Sequence, residues 1–176
     1  MPRVGWVKHT VYNDLNCAKI SAKFPQFTVQ LKAELQMAAG NYKAIVHWAG
    51  DDFFIGTTPS GVSQAIDVKG DRKSAASPLE MLLISVAACT AADVISILEK
   101  KRQDVRSYDV EVTGTRVDEN PRKFVKFHIN HIVRGRSVSE KALADAIQLS
   151  DTKYCSVAAT VRPTAEITTS YEIVEI

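Results

Sequence analysis

Cysteine is scarce in this chain, with three in 176 residues, an odd number. That is too few for a disulfide framework and points to a reducing, cytoplasmic setting in which one or two thiols do chemistry. Charge of one sign is also lacking. The net charge is +2 and the basic residues lie among acidic ones, which excludes a nucleic-acid partner. The longest apolar stretch, Leu79 to Ala92, runs about 14 residues before Asp93, whereas a bilayer span needs roughly 20. No membrane partner is therefore expected. With 8 glycines and 6 prolines there is neither a collagen-like repeat nor a Gly-rich phosphate loop. No Ser-His-Asp array stands out either, and no cofactor is expected.

The composition that remains is that of a globular protein, 45% apolar and 24% charged. The length suits one domain, and a chain of this size buries roughly 70% of its unfolded surface. Residues 1–33 differ from the rest, since Arg3, Lys8, Lys19, Lys23 and Lys32 face Asp14 alone and no hydrophobic period is sustained. This segment reads as an N-terminal extension, with Cys17 incidental, and residues 34–176 as the domain.

Within the domain, Lys43–Trp48, Phe53–Ile55 and Val62–Val68 read as strands separated by turn-formers such as Gly50-Asp51-Asp52. Ser77, Pro78 and Glu80 then form an S-x-x-E capping box with proline at the first helical position. The helix they start can run to about Arg102, and its first two-thirds are apolar almost all round. Such a helix needs cover on every side, from a second helix or a second subunit.

Two alternating runs follow, with Tyr108, Val110 and Val112 inward on one, and Val125, Phe127, Ile129, His131 and Val133 inward on the other. They read as an antiparallel hairpin. Ser139 caps a helix over Glu140 to about Leu149. Ser150 or Asp151 starts a short one with Cys155 in its first turns. Ala165, Ile167, Thr169, Tyr171 and Ile173 alternate as a closing strand. The order βββ-α-ββ-αα-β is an α+β fold.

Position alone leaves Cys89, in mid-helix, open between packing and reactivity. Cys155 sits where helix N–H groups and Lys153 would lower a thiol pKa, though position alone leaves it open between a reactive thiol and a packed one. Asp93 lies one turn beyond Cys89, about 6 Å along the axis, and either reaches the thiol's surroundings or simply ends the apolar half. Glu80 is first a capping residue. Nine residues of helix place it about 13 Å from Cys89 on the opposite side, so a catalytic part requires a kink or a second chain. His128 and His131 point to opposite faces of one strand, which rules out a metal pair and makes His131 a satisfied core histidine. No metal site is expected.

The segments SPLEMLLISVAACTAADVISILEKKRQDV, 77–105, and KYCSVAATV, 153–161, resemble the OsmC/Ohr superfamily, in wording nearest its YhfA-like branch. The resemblance covers the chain from about residue 36. It implies an OsmC-like fold in an intertwined homodimer, with long helices crossing at the centre and antiparallel sheets wrapping them.

It also implies two-cysteine reduction of organic hydroperoxides. Cys89 would be the attacking thiol and Cys155 the resolving one, with a dithiol or thioredoxin-like donor to reset them. Glu80 is the candidate for the family's functional glutamate. The pattern departs there, since the family's glutamate directly follows proline and this chain has Leu79 in that place. No arginine lies between Arg3 and Arg72 to serve as the family's active-site cation, which leaves Arg72 or Lys73 as substitutes. The competing readings are a thiol redox sensor, a small-molecule-binding dimer and a hotdog-type thioesterase; the helix-borne Cys89 and the second cysteine motif argue against the last.

Overall fold

A computed structural model describes residues 42–176. The extension at 1–33 and Cys17 lie outside the described residues. The chain divides into two compact units, one ending at Ile66 and the other running Asp67–Ile176. The first holds a three-stranded sheet in the order β1 (Ile45–Gly50), β2 (Phe53–Thr57) and β3 (Ser63–Asp67). Its first hairpin turns through Gly50, Asp51 and Asp52, all at positive φ, where glycine and aspartate cost least.

The second unit is built on helix α1 (Pro78–Lys100). Ser77 accepts the Glu80 N–H at 3.3 Å while Glu80 Oε2 accepts the Ser77 N–H at 2.7 Å, so the expected capping box is complete. The helix stops at Lys101, and Arg102 beyond it is left-handed at φ 55°. Val86, Thr90, Val94 and Leu98, each one turn from the next, form its buried stripe. At 23 residues and a mean hydropathy of 2.2 over its most apolar window, α1 is long and apolar enough to cross a membrane by length and composition. The apolar stretch is thus longer than the sequence suggested, because Asp93 is accommodated within it.

Strands β4 (Asp104–Arg116) and β5 (Phe124–Arg136) pair antiparallel, and β6 (Glu166–Glu175) adds to β5 in parallel. A parallel neighbour needs a crossover. It is supplied by α2 (Glu140–Leu149), capped by Ser139, a π-helical turn (Ser150–Tyr154) and α3 (Ser156–Val161). Gly135 is required where β5 approaches β4, since a Cβ there would lie 2.2 Å from the Asp104 carbonyl oxygen.

Tyr108, Val110 and Val112 face inward, as do Phe127, Ile129, His131 and Val133. Val125 does not. The register slips between Thr115 and Arg116, so Phe124 takes the buried place and packs on Phe127 at 5.0 Å. In β6 only the ends pack, through Ile167 and Ile173, while Thr169 and Tyr171 are exposed on an edge strand.

The core has two parts. Val94, Leu98, Val133, Leu143 and Ile147 form one, and Val86, Phe124, Phe127, Ile129 and Ala165 the other. Each fully buried Leu contributes roughly 1.5–3 kcal/mol relative to exposure. Along α1 and β5, Thr90 and His131 stand between the residues of the two clusters.

Candidate active site

The buried stripe of α1 places Cys89 and Asp93 side by side on one flank, one turn apart. The crossover brings Cys155 to the same place. Sγ of Cys89, Sγ of Cys155 and a carboxylate oxygen of Asp93 all lie within 4.8 Å of one another, and both cysteines are free thiols. Cys89 is half-buried and Cys155 is buried. Behind them Ser150 Oγ donates to Asp93 Oδ2 at 2.9 Å and shares a hydrogen bond with Thr90 Oγ1 at 3.1 Å. Ser150 and Thr90 are themselves buried. The three donor atoms lie close enough together to admit a metal ion, and Ser150 donates a hydrogen bond to the carboxylate among them.

The approach to Cys155 differs from expectation. The π-helical turn closes with the Cys155 N–H on the Ser150 carbonyl at 2.9 Å, and Cys155 sits outside α3 as its N-cap. Its sulfur accepts the Ala158 N–H at 3.4 Å. A lowered thiol pKa does not result. Burial, first of all, and the hydrogen bond shared with Cys89 push Cys155 up to about 11. The Ala158 N–H opposes this, and the charges of Cys89 and Asp93 add to the rise. Lys153 gives no help, because its ammonium lies over the Tyr154 ring, 5.3 Å from the centroid.

Glu80 is not brought to the thiols within this chain. It stays in the capping box, where the Ser77 N–H holds its carboxyl below the usual range, beside a cavity of about 640 Å³ walled by Leu83, Ile84 and Val112. Arg72 is not a solvated substitute for the missing arginine. It pairs with buried Asp67 through Nε at 2.8 Å and Nη2 at 2.9 Å. Ser74 Oγ adds a bond at 2.5 Å and the Lys69 and Ser74 N–H groups add two more, so the Asp67 carboxyl is held far below the carboxylate range.

His131 is fully buried, with Nδ1 2.6 Å from Tyr108 Oη. Nε2 has no partner among the described residues, so this core histidine is only half satisfied, and burial lowers it to about 4. His128, on the other face, bonds Thr168 and Ser170.

Sequence reasoning missed Thr90 and Ser150. The available signal was one hydroxyl in an otherwise aliphatic stripe at 86, 90, 94 and 98. Nothing local pairs Ser150 with a residue 57 positions away.

The family model for OsmC-like proteins matches residues 70–170. Protein YhfA of Escherichia coli K12 is 42% identical over 132 residues, which cover 75% of this chain and 98% of that one. A hypothetical protein from Aquifex aeolicus superposes with a TM-score of 0.69 at 29% identity, over 77% of this chain and 98% of its own. The organic hydroperoxide resistance protein OhrB of Bacillus subtilis shares the fold at TM-score 0.54 and 14% identity, over 77% of this chain and all of its own.

Proposed function

The chain belongs to the OsmC-like protein family, and from that premise we propose that it is a two-cysteine thiol peroxidase acting on organic hydroperoxides in oxidative-stress defence. The observation that carries this reading is the meeting of Cys89 and Cys155 sulfurs from segments 66 residues apart, both free and one half-exposed. Cys155 keeps its proton and offers it to the Cys89 sulfur, which makes Cys89 the attacking atom. Its thiolate takes the terminal peroxide oxygen, the O–O bond breaks, and the alkoxide leaves as alcohol after gaining a proton. The sulfenic acid at Cys89 then forms a disulfide with Cys155 and releases water. A dithiol or thioredoxin-like donor restores both thiols. A reducing compartment such as the cytoplasm keeps that donor available.

The relevant unit is a homodimer in this reading. Ile84, Ala88 and Ala92, one turn apart, leave α1 with an exposed apolar and small-residue face inside a single chain. A second α1 crossing there would cover it and bring the partner's Glu80 end toward the thiols. An alkyl tail of the peroxide would bury against the same apolar flank at about 25 cal/mol per Å².

A second reading, a slow redox sensor, is favoured by one observation. Among the described residues no cation acts on Cys155, and Arg72 is committed to Asp67. One experiment separates the two. Reduced protein is mixed with one equivalent of cumene hydroperoxide and free thiols are counted. A peroxidase loses the Cys89–Cys155 pair quickly, regains it with dithiothreitol over repeated cycles, and loses nothing as Cys89→Ser. A sensor oxidises once and turns over poorly. Reaction no faster than that of free cysteine defeats both.

A further inference from the structure

Resolution of the sulfenic acid requires the buried Cys155 to lose a proton it holds tightly. Only the thiolate attacks sulfur. Burial, and next to it the Cys89 sulfur, raise the Cys155 pKa to about 11, so at neutral pH the thiol keeps its proton. The groups that bear on Cys155 are Cys89 and Asp93, both from α1, together with the Ala158 N–H. Lys153, two residues before it, is turned to Tyr154. Asp93 brings a carboxylate oxygen within 4.8 Å of both sulfurs. It is also aimed. Ser150 holds Oδ2 at 2.9 Å and Thr90 fixes Ser150 at 3.1 Å, both hydroxyls being buried.

We propose that Asp93 is the catalytic base of the resolving step, with Ser150 and Thr90 as positioning residues that hold its carboxylate against the sulfur pair. The proposal deepens the thiol reading and rests on it. As Cys155 approaches the sulfenic acid, its S–H proton passes to the Asp93 carboxylate. The S–S bond forms while the S–O bond of Cys89 breaks. The departing hydroxide collects the proton from Asp93 and leaves as water. Cys155 is oxidised, the Cys89 sulfur is reduced from sulfenic to disulfide level, and Asp93 ends as it began.

The step is tested apart from peroxide chemistry, in a Cys17→Ser background with chelator present. Ellman's reagent converts Cys89 to a mixed disulfide, and Cys155 then expels a second coloured thiolate whose release is timed. Asp93→Asn slows that second release about 100-fold or more at neutral pH, in line with the loss of a general base. Its rate climbs about tenfold per pH unit as hydroxide takes over, whereas the parent profile is flatter. Asp93→Glu, which keeps a carboxylate, recovers at least tenfold over Asn. Ser150→Ala, which removes only the aiming bond, falls between, and supplies the answer if Asp93→Asn does not fold.

With cumene hydroperoxide the Asn variant accumulates sulfenic acid, seen as a dimedone adduct by mass. Equal second-release rates for parent and Asn across pH, or equal rates for Asn and Glu, overturn the proposal. Fast second release in a protein whose thiols ignore hydroperoxide defeats the peroxidase reading and leaves Asp93 as the base of a thiol–disulfide pair.

Discussion

Two regions of the same unit handle buried ionisable groups in opposite ways. At the end of β3, before the loop that leads to α1, Asp67 is almost wholly buried and stays charged, because two hydrogen bonds from Arg72 and three further ones replace the water it lost. Halfway along the helix, Cys155 and His131 are just as deeply buried and stay neutral, the thiol pushed up to about 11 and the imidazole down to about 4. Depth does not decide between them. A fixed opposite charge does, since Arg72 offsets desolvation at Asp67, whereas among the described residues no cation acts on Cys155 and burial alone sets the shift of His131. The first region is a structural knot. The second holds groups that stay neutral because burial disfavours their charged forms.

Removing the cation breaks the contrast most severely. Arg72→Ala strands a buried carboxylate and should lower the melting temperature by roughly 10 °C, read by near-UV circular dichroism. Arg72→Lys, which keeps charge but not the two-pronged contact, should lose less. The sign with pH follows from the depressed Asp67 pKa. The stability it contributes is present above the usual carboxylate range and is lost as pH falls through and below it. Arg72→Ala should flatten that acid limb.

His131 sharpens the other side of the contrast. Its folded pKa near 4 lies below the unfolded value of about 6.5, so the unfolded chain takes up the proton first. Stability should be unaffected above neutral pH and fall by about 3 kcal/mol between pH 6.5 and 4, measured by urea unfolding. His131→Gln should remove most of that slope. The smallest change expected is Tyr108→Phe, which takes away the hydroxyl on His131 Nδ1 and should cost about 1–2 kcal/mol at pH 7. A loss near zero would mean that a buried water takes over the ring nitrogen.

Much of this was legible in the chain before folding. Ser77, Pro78 and Glu80 announce α1 because a capping box is made of neighbours three residues apart. Ser139 does the same for α2, and alternation along β4 and β5 selects the inward face because strand side chains repeat every two residues. Val125 was misassigned because a register slip exchanges faces without altering the local pattern. The helix dipole and Lys153, both local, point to a lowered pKa for Cys155. Burial, which is not local, reversed the direction. Asp93 was visible as a carboxylate one turn from a thiol, but its tie to Ser150 was not.

The sequence by itself determined where α1 begins and which faces of β4 and β5 turn inward; both follow from hydrogen bonds and periods that span a few residues. Only the tertiary structure decided that Cys89, Asp93 and Cys155 meet, that Arg72 serves Asp67 and not a thiol, and that burial keeps the Cys155 proton in place. Those outcomes depend on which distant segments exclude water from one another, a property no short window of residues contains.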